Sequence, residues 1–150
     1  MKLLQAIRFD PSDTFAFPLA AEPGEWVVPG GFAFRAEPEG GPERQAFSNG
    51  WLAPATGGRT TFVAVAEANE GDATALHAAL VATIGALGAS PDEAGRAAAA
   101  ELAFARDLAD APAGTVLALR RFVEAGELRE TFHRVDTEAA PHARVWEVLE

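Results

Sequence analysis

The chain contains no cysteine. That removes thiol nucleophiles, thiolate zinc sites, iron–sulfur ligation and disulfides, and it suits a reducing compartment. Long apolar runs are missing as well. "MKLLQAIRFD" holds one lysine and a short apolar run that meets charge at Arg8 and Asp10. A secretory signal needs a longer uninterrupted stretch, and a membrane span needs about 20 residues. The expectation is a cytoplasmic protein with no membrane contact. Positive charge is scarce: twelve Lys and Arg stand against 22 Asp and Glu, for a net charge of −10. Phosphate backbones and anionic lipids reward clustered basic residues, and the longest basic run is Arg120-Arg121. Nucleic acid is therefore not an expected partner. Nearly all the basic residues are Arg, and Ala is abundant, which reads as the codon bias of a high-GC bacterial genome.

Recognisable catalytic spacings are also lacking. The three histidines, His77, His133 and His142, form none of the H-x-H, H-x-x-x-H or H-E-x-x-H patterns that set two ligands on one face. No metal site and no cofactor is expected. His77 borders an apolar helical stripe and reads as a partly buried structural residue; His133 and His142 read as surface residues. "FSNGW" is not a G-x-S-x-G nucleophile elbow. "ATGGRTT", residues 55–61, lacks phosphate-loop spacing and leads into a strand rather than a helix, so a plain hairpin turn is preferred. Paired carboxylates such as Asp10 and Asp13 bracket a turn, where short polar side chains bond the backbone.

What is present is ample core. The 150 residues are 49% hydrophobic, a size typical of one domain, in which folding buries roughly 70% of the unfolded surface. No internal repeat or long linker divides residues 1–150. Residues 1–67 read as short strands punctuated by Gly, Pro, Asn and Asp. "KLLQAIRF" is one. "TFAFPL" is another, an edge or irregular strand because Pro18 lacks an N–H. "WVV" and "FAFR" follow, separated by Pro29-Gly30-Gly31. Asn49-Gly50 predicts a hairpin between "RQAFS" and "WLAP". In "TFVAVAEA", Phe62 and Ala64 oppose Val63 and Val65, as in a strand covered on both sides.

The period then changes. Leu76, Leu80, Ile84 and Leu87 recur at helical spacing, and "SPDE" at 90–93 is a capping box opening a second helix. Two helices, about 72–88 and 91–111, form an αα-hairpin. "TVLALRRFVEAGELRETFHRV" predicts a β-hairpin about Ala125-Gly126. Its register sets Val123 against Leu128, Arg121 against Glu130, and Leu119 against Phe132. The last segment, "HARVWEVLE", reads as a strand or a short helix, with the strand preferred. The sum is an α+β fold: an antiparallel sheet from the N-terminal half and a C-terminal β-hairpin, with the αα-hairpin inserted.

At "IRFDPSDTFAF", "AAEPGEW" and "PGGFAF" the chain resembles an uncharacterised family of small bacterial proteins, known as a domain of unknown function. The resemblance runs through most of the chain and implies no activity, cofactor or catalytic residue.

Aromatics supply the remaining signal. If Pro29-Gly30-Gly31 preserves alternation, Trp26, Val28, Phe32 and Phe34 lie on one sheet face, with Phe15, Phe17, Phe47 and Trp51 close in sequence. Burial of one such ring contributes about 1.5–3 kcal/mol, so most belong to the core. A sheet has two faces, however, and one helical hairpin covers one. The expectation is a non-enzymatic binding or accessory protein that pairs with itself, and with another cytoplasmic protein, through the second face. Trp26, Phe32, Phe34 and Trp51 are the candidate contact residues, and Trp26 is the foremost. The alternative is a small-molecule binder or enzyme with a sheet–helix cleft using His77 or His133 beside a carboxylate.

Overall fold

The computed structural model describes residues 1–9, 19–34 and 36–136. Its larger sheet has five antiparallel strands: β1 (Lys2–Ile7), β2 (Trp26–Val27), β5 (Phe62–Glu67), β6 (Val116–Glu124) and β7 (Glu127–Val135), in the order β2-β1-β5-β6-β7. A small sheet pairs β3 (Trp51–Ala53) with β4 (Gly58–Thr60). It is tied to the end of β2 by a bridge between Val28 and Leu52. The helices are α1 (Gly41–Asn49), α2 (Glu70–Ala86) and α3 (Pro91–Leu108). The fold is α+β, as expected, with the αα-hairpin inserted between β5 and β6.

Local chemistry explains the secure parts. Ser90 accepts from the Glu93 N–H at 3.2 Å while the Glu93 carboxylate accepts from the Ser90 N–H at 2.9 Å, so α3 begins where the capping box places it. A second box, unnoticed in the sequence, joins Asn69 and Asp72 and starts α2 at Glu70. Leu76, Leu80 and Ile84 bury the α2 stripe, whereas Leu87 lies beyond the helix and stays exposed. Ala94, Ala98 and Ala105 are the buried positions of α3, small enough to let its backbone approach. The β6–β7 register is the predicted one at all three pairs.

Four expectations are corrected. Residues 1–67 are not all strand: α1 occupies 41–49, and Asn49-Gly50 is its C-terminal end rather than a hairpin turn, with the Gly50 N–H donating to the Ala46 carbonyl at 2.9 Å. Pro42 in the first turn and Glu43 near the helix N-terminus support that helix. "FAFR" is not a strand, because Gly31–Ala33 forms a 3-10 turn. It follows that Trp26, Val28, Phe32 and Phe34 do not share one sheet face. Finally, β5 is covered unequally on its two sides: Val63 and Val65 are buried, whereas Phe62 and Ala64 are half-buried. The expected strands at "TFAFPL" and "HARVWEVLE", with Phe15, Phe17 and His142, lie wholly or almost wholly outside the described residues.

Register fixes two faces. Leu4 pairs with Val27 and Val65, and Val63 with Leu117, so Leu4, Ala6, Val27, Val63, Val65, Leu117, Leu119 and Arg121 share the first face. All are buried. On it, α3 packs against β1, α2 against β2, and α1 against β6. The helical hairpin therefore shares the task with α1. The second face carries Gln5, Ile7, Trp26, Phe62, Ala64, Ala118 and Phe122, all half-exposed, with Leu3 and Val116 buried among them.

Candidate functional site

Two features beyond the ordinary core carry chemical potential. The first is that second sheet face. Trp26 stands on β2, the edge strand, opposite Gln5 of β1. Phe62 of the central strand packs against Phe9 with ring centroids 4.7 Å apart. Among the described strand residues of this face, carboxylates are confined to the β6–β7 tip, where Glu124 and Glu127 flank Arg129 at 3.7 and 3.0 Å. Arg120 projects from the same face, with its guanidinium 5.5 Å from the Phe122 ring centre.

The second feature is a buried charge cluster on the first face. Arg121 occupies the phase of Leu117 and Leu119 and is 1% exposed. Its guanidinium donates to four acceptors: the Glu130 carboxylate at 2.8 Å, the Phe47 carbonyl at 2.7 Å, the Pro29 carbonyl at 2.7 Å and the Gly50 carbonyl at 3.3 Å. Burial pulls its pKa below the ordinary arginine value, and Glu130 works against that shift. Arg59 of β4 is 4% exposed and donates to the Gly50 carbonyl at 3.1 Å and, at the long distance of 3.5 Å, to the Gly30 carbonyl. Desolvation, with the Arg121 charge second, holds its pKa down to about 9, so it stays cationic at neutral pH. Both guanidinium groups lie over the Phe34 ring, at 4.7 and 5.4 Å from its centre, within the range of cation–π attraction. Glu101 of α3 accepts from the Gly30 N–H at 3.1 Å, and burial raises its carboxyl above the ordinary range.

Pro29-Gly30-Gly31 is thus the seam of this cluster, since its carbonyls and one N–H bind Arg121, Arg59 and Glu101. Glycine is required there for two reasons. Gly30 adopts φ +76° and its missing Cβ would fall 2.4 Å from the Leu52 Cβ; a Cβ on Gly31 would fall 2.6 Å from the Glu130 carboxylate. The same segment turns Phe34 edge-on to Phe47, with centroids 5.2 Å apart.

The sequence candidates separate. Trp51 is fully buried, its ring 5.7 Å from Phe132, and its indole N–H has no acceptor among the described residues. Phe32 packs on the core from the 3-10 turn. Trp26 is half-buried on the second face, and Phe34 serves the arginines. His77 is half-buried on α2 and His133 exposed on β7, where its Nε2 lies 2.9 Å from the Thr131 hydroxyl. Among the described residues neither histidine forms an ion pair with a carboxylate, and no three His, Asp or Glu side chains gather to hold a metal ion. Arg59 and Arg121 escaped the sequence reading as a site. A signal existed for Arg121: it continues the alternation of Leu117 and Leu119, so a charge stands where the strand otherwise buries its side chains.

A cavity of about 300 Å³ opens beside Arg59, lined chiefly by Ala33, Phe34, Ala46, Leu52 and Thr83. Among the described residues no helix is long and apolar enough to cross a membrane. Residues 1–145 match the model of a family of unknown function (DUF6505), and the chain belongs to that family. No curated protein and no solved structure matches the chain.

Proposed function

We propose that this chain is a cytoplasmic, non-enzymatic binding protein that pairs with a second copy of itself through the second sheet face and serves as an accessory partner of another protein. The observation that carries the reading is the row of half-exposed apolar side chains, Ile7, Trp26, Phe62, Ala64, Ala118 and Phe122, brought together by strand register. Charge sets how a second copy can approach. Two chains of net charge −10 repel, and they approach at least cost on a face whose two carboxylates already flank Arg129. Sheet-on-sheet packing of such faces buries aromatic anchors of the kind that dominate interface energetics.

The test is light scattering after size exclusion across a concentration series. The expected result is a dimer for the native chain and a monomer of native helix content for Ala64→Glu, which sets a charge at the centre of the face. Trp26→Ala is expected to shift mass toward monomer, since truncating an aromatic anchor in an interface costs about 2 kcal/mol or more of binding. A native chain that is monomeric at every concentration overturns the proposal, as does an Ala64→Glu dimer.

A further inference from the structure

We propose that the cavity beside Arg59 binds a small monocarboxylate with an apolar body. Three observations converge. The hollow, about 300 Å³, is walled mainly by the apolar groups of Ala33, Phe34, Ala46 and Leu52, a volume at the lower end of ligand pockets. Arg59 lines it and is almost wholly buried, yet the Glu130 carboxylate of the cluster is held by Arg121 at 2.8 Å. Arg59 itself meets carbonyl oxygens, at 3.1 and 3.5 Å, among the described residues. A guanidinium has five N–H donors, so it retains donors for a further acceptor.

The main structural bond of this arginine is also a shared one. Its better acceptor, the Gly50 carbonyl, already receives an N–H from Arg121. A leucine or methionine would fill the same space without the cost of desolvating a cation. What the arginine adds is a positive charge bordering an apolar hollow, which is the pairing a carboxylic acid presents in reverse. A phosphate dianion fits less well than a monocarboxylate, because exposed Glu43 also lines the hollow and opposes each added negative charge. In so dry a place the charge-assisted hydrogen bond to the carboxylate is strong, while the ligand's hydrocarbon contacts Phe34 and Leu52.

The test titrates the full chain with sodium hexanoate, 1-hexanol and inorganic phosphate, following backbone amide shifts by NMR. Hexanoate is expected to bind at least about tenfold more tightly than 1-hexanol, as loss of a charge-assisted hydrogen bond predicts, with shifts centred on Phe34, Gly50 and Arg59. Phosphate is expected not to bind. Arg59→Gln is expected to remove the preference for the acid over the alcohol. Ala33→Leu, which fills the hollow without altering a charge, is expected to abolish binding in a folded protein and decides the matter if Arg59→Gln fails to fold. Absence of hexanoate binding overturns the proposal. Equal binding of hexanoate and hexanol, phosphate competing with hexanoate, or an unaffected Ala33→Leu variant does so too.

Discussion

Replacing Arg121 by methionine tests the account of the buried cluster. The side chain donates four hydrogen bonds, to the carboxylate of Glu130 and to the carbonyls of Phe47, Gly50 and Pro29. Hydrogen bonds to a charged group contribute about 1.5–3 kcal/mol each, and stranded buried acceptors cost about as much again. Two effects offset that sum. Methionine restores part of the packed volume, and the desolvation that depresses the Arg121 pKa is relieved. Glu130, one-fifth exposed, also recovers some hydration. The net expectation is the range for breaking a buried pair, about 3–5 kcal/mol. Urea unfolding reads it as a lowered midpoint at unchanged slope. Because the pair is buried, added salt should leave the loss nearly constant. Arg121→Met combined with Glu130→Met should cost less than the single change, since no carboxylate is then left without its partner. A single-variant loss under about 1 kcal/mol refutes the reasoning, because marginal surface pairs give values of that size.

Further outcomes follow from the same geometry. Burial raises the Glu101 carboxyl, so the folded chain holds that proton more tightly than the unfolded one. Its contribution is complete below the unfolded value and is lost as pH rises through the folded one. Glu101→Gln, which keeps an acceptor for the Gly30 N–H, should therefore gain stability relative to the native chain as pH rises above the ordinary carboxylate range; denaturant melts giving no gain, or the opposite sign, count against it. Gly30→Ala should lose about 2 kcal/mol or more through its positive φ and the collision with Leu52. Gly24→Ala, with φ +96° but open space, should lose less. Ser90→Ala removes the α3 cap and should lower Tm by about 3 °C, and an unchanged Tm would mean that the box does not secure the helix. Gel shifts at physiological salt should show no binding of generic duplex DNA by a chain of net charge −10.

The legible parts of the fold were those with local chemistry. Ser90 and Glu93 mark a helix start by themselves, and the β6–β7 register follows from a two-residue turn plus the opposed charges of Arg121 and Glu130. Helix α1 escaped because two buried residues, Ala46 and Phe47, are too few to announce a helical period, and Asn49-Gly50 offered a strong rival signal. Pro29-Gly30-Gly31 looked like an interruption between strands. Its reason lies elsewhere in the chain, in Glu101, Arg121 and Leu52, which no local pattern connects to it. The pairing of Arg121 with Glu130 was readable, whereas its burial was signalled only by the phase of Leu117 and Leu119, because the covering is supplied by α1 and by the Pro29 turn. For Arg59 the sequence offers a strand residue after two glycines, and nothing there announces a hollow.

Arg121 reaches Phe47 and Pro29 across 74 and 92 residues of chain. Contacts that span so much sequence must wait until loop closure has been met by nearer ones, and the β6–β7 hairpin and the αα-hairpin supply those. Arg121 is then a bolt thrown after the door has shut. Its long-range bonds to Phe47 and Pro29 are then expected to form after the folding barrier is crossed, and to act on how long the folded state survives rather than on how fast it is reached. In a chevron plot, Arg121→Met should raise the unfolding arm and leave the refolding arm in place, whereas slowed refolding would set the guanidinium inside the nucleus. The protein's resistance to spontaneous opening is, on this view, concentrated in one planar side chain and the three carbonyls and one carboxylate that receive it.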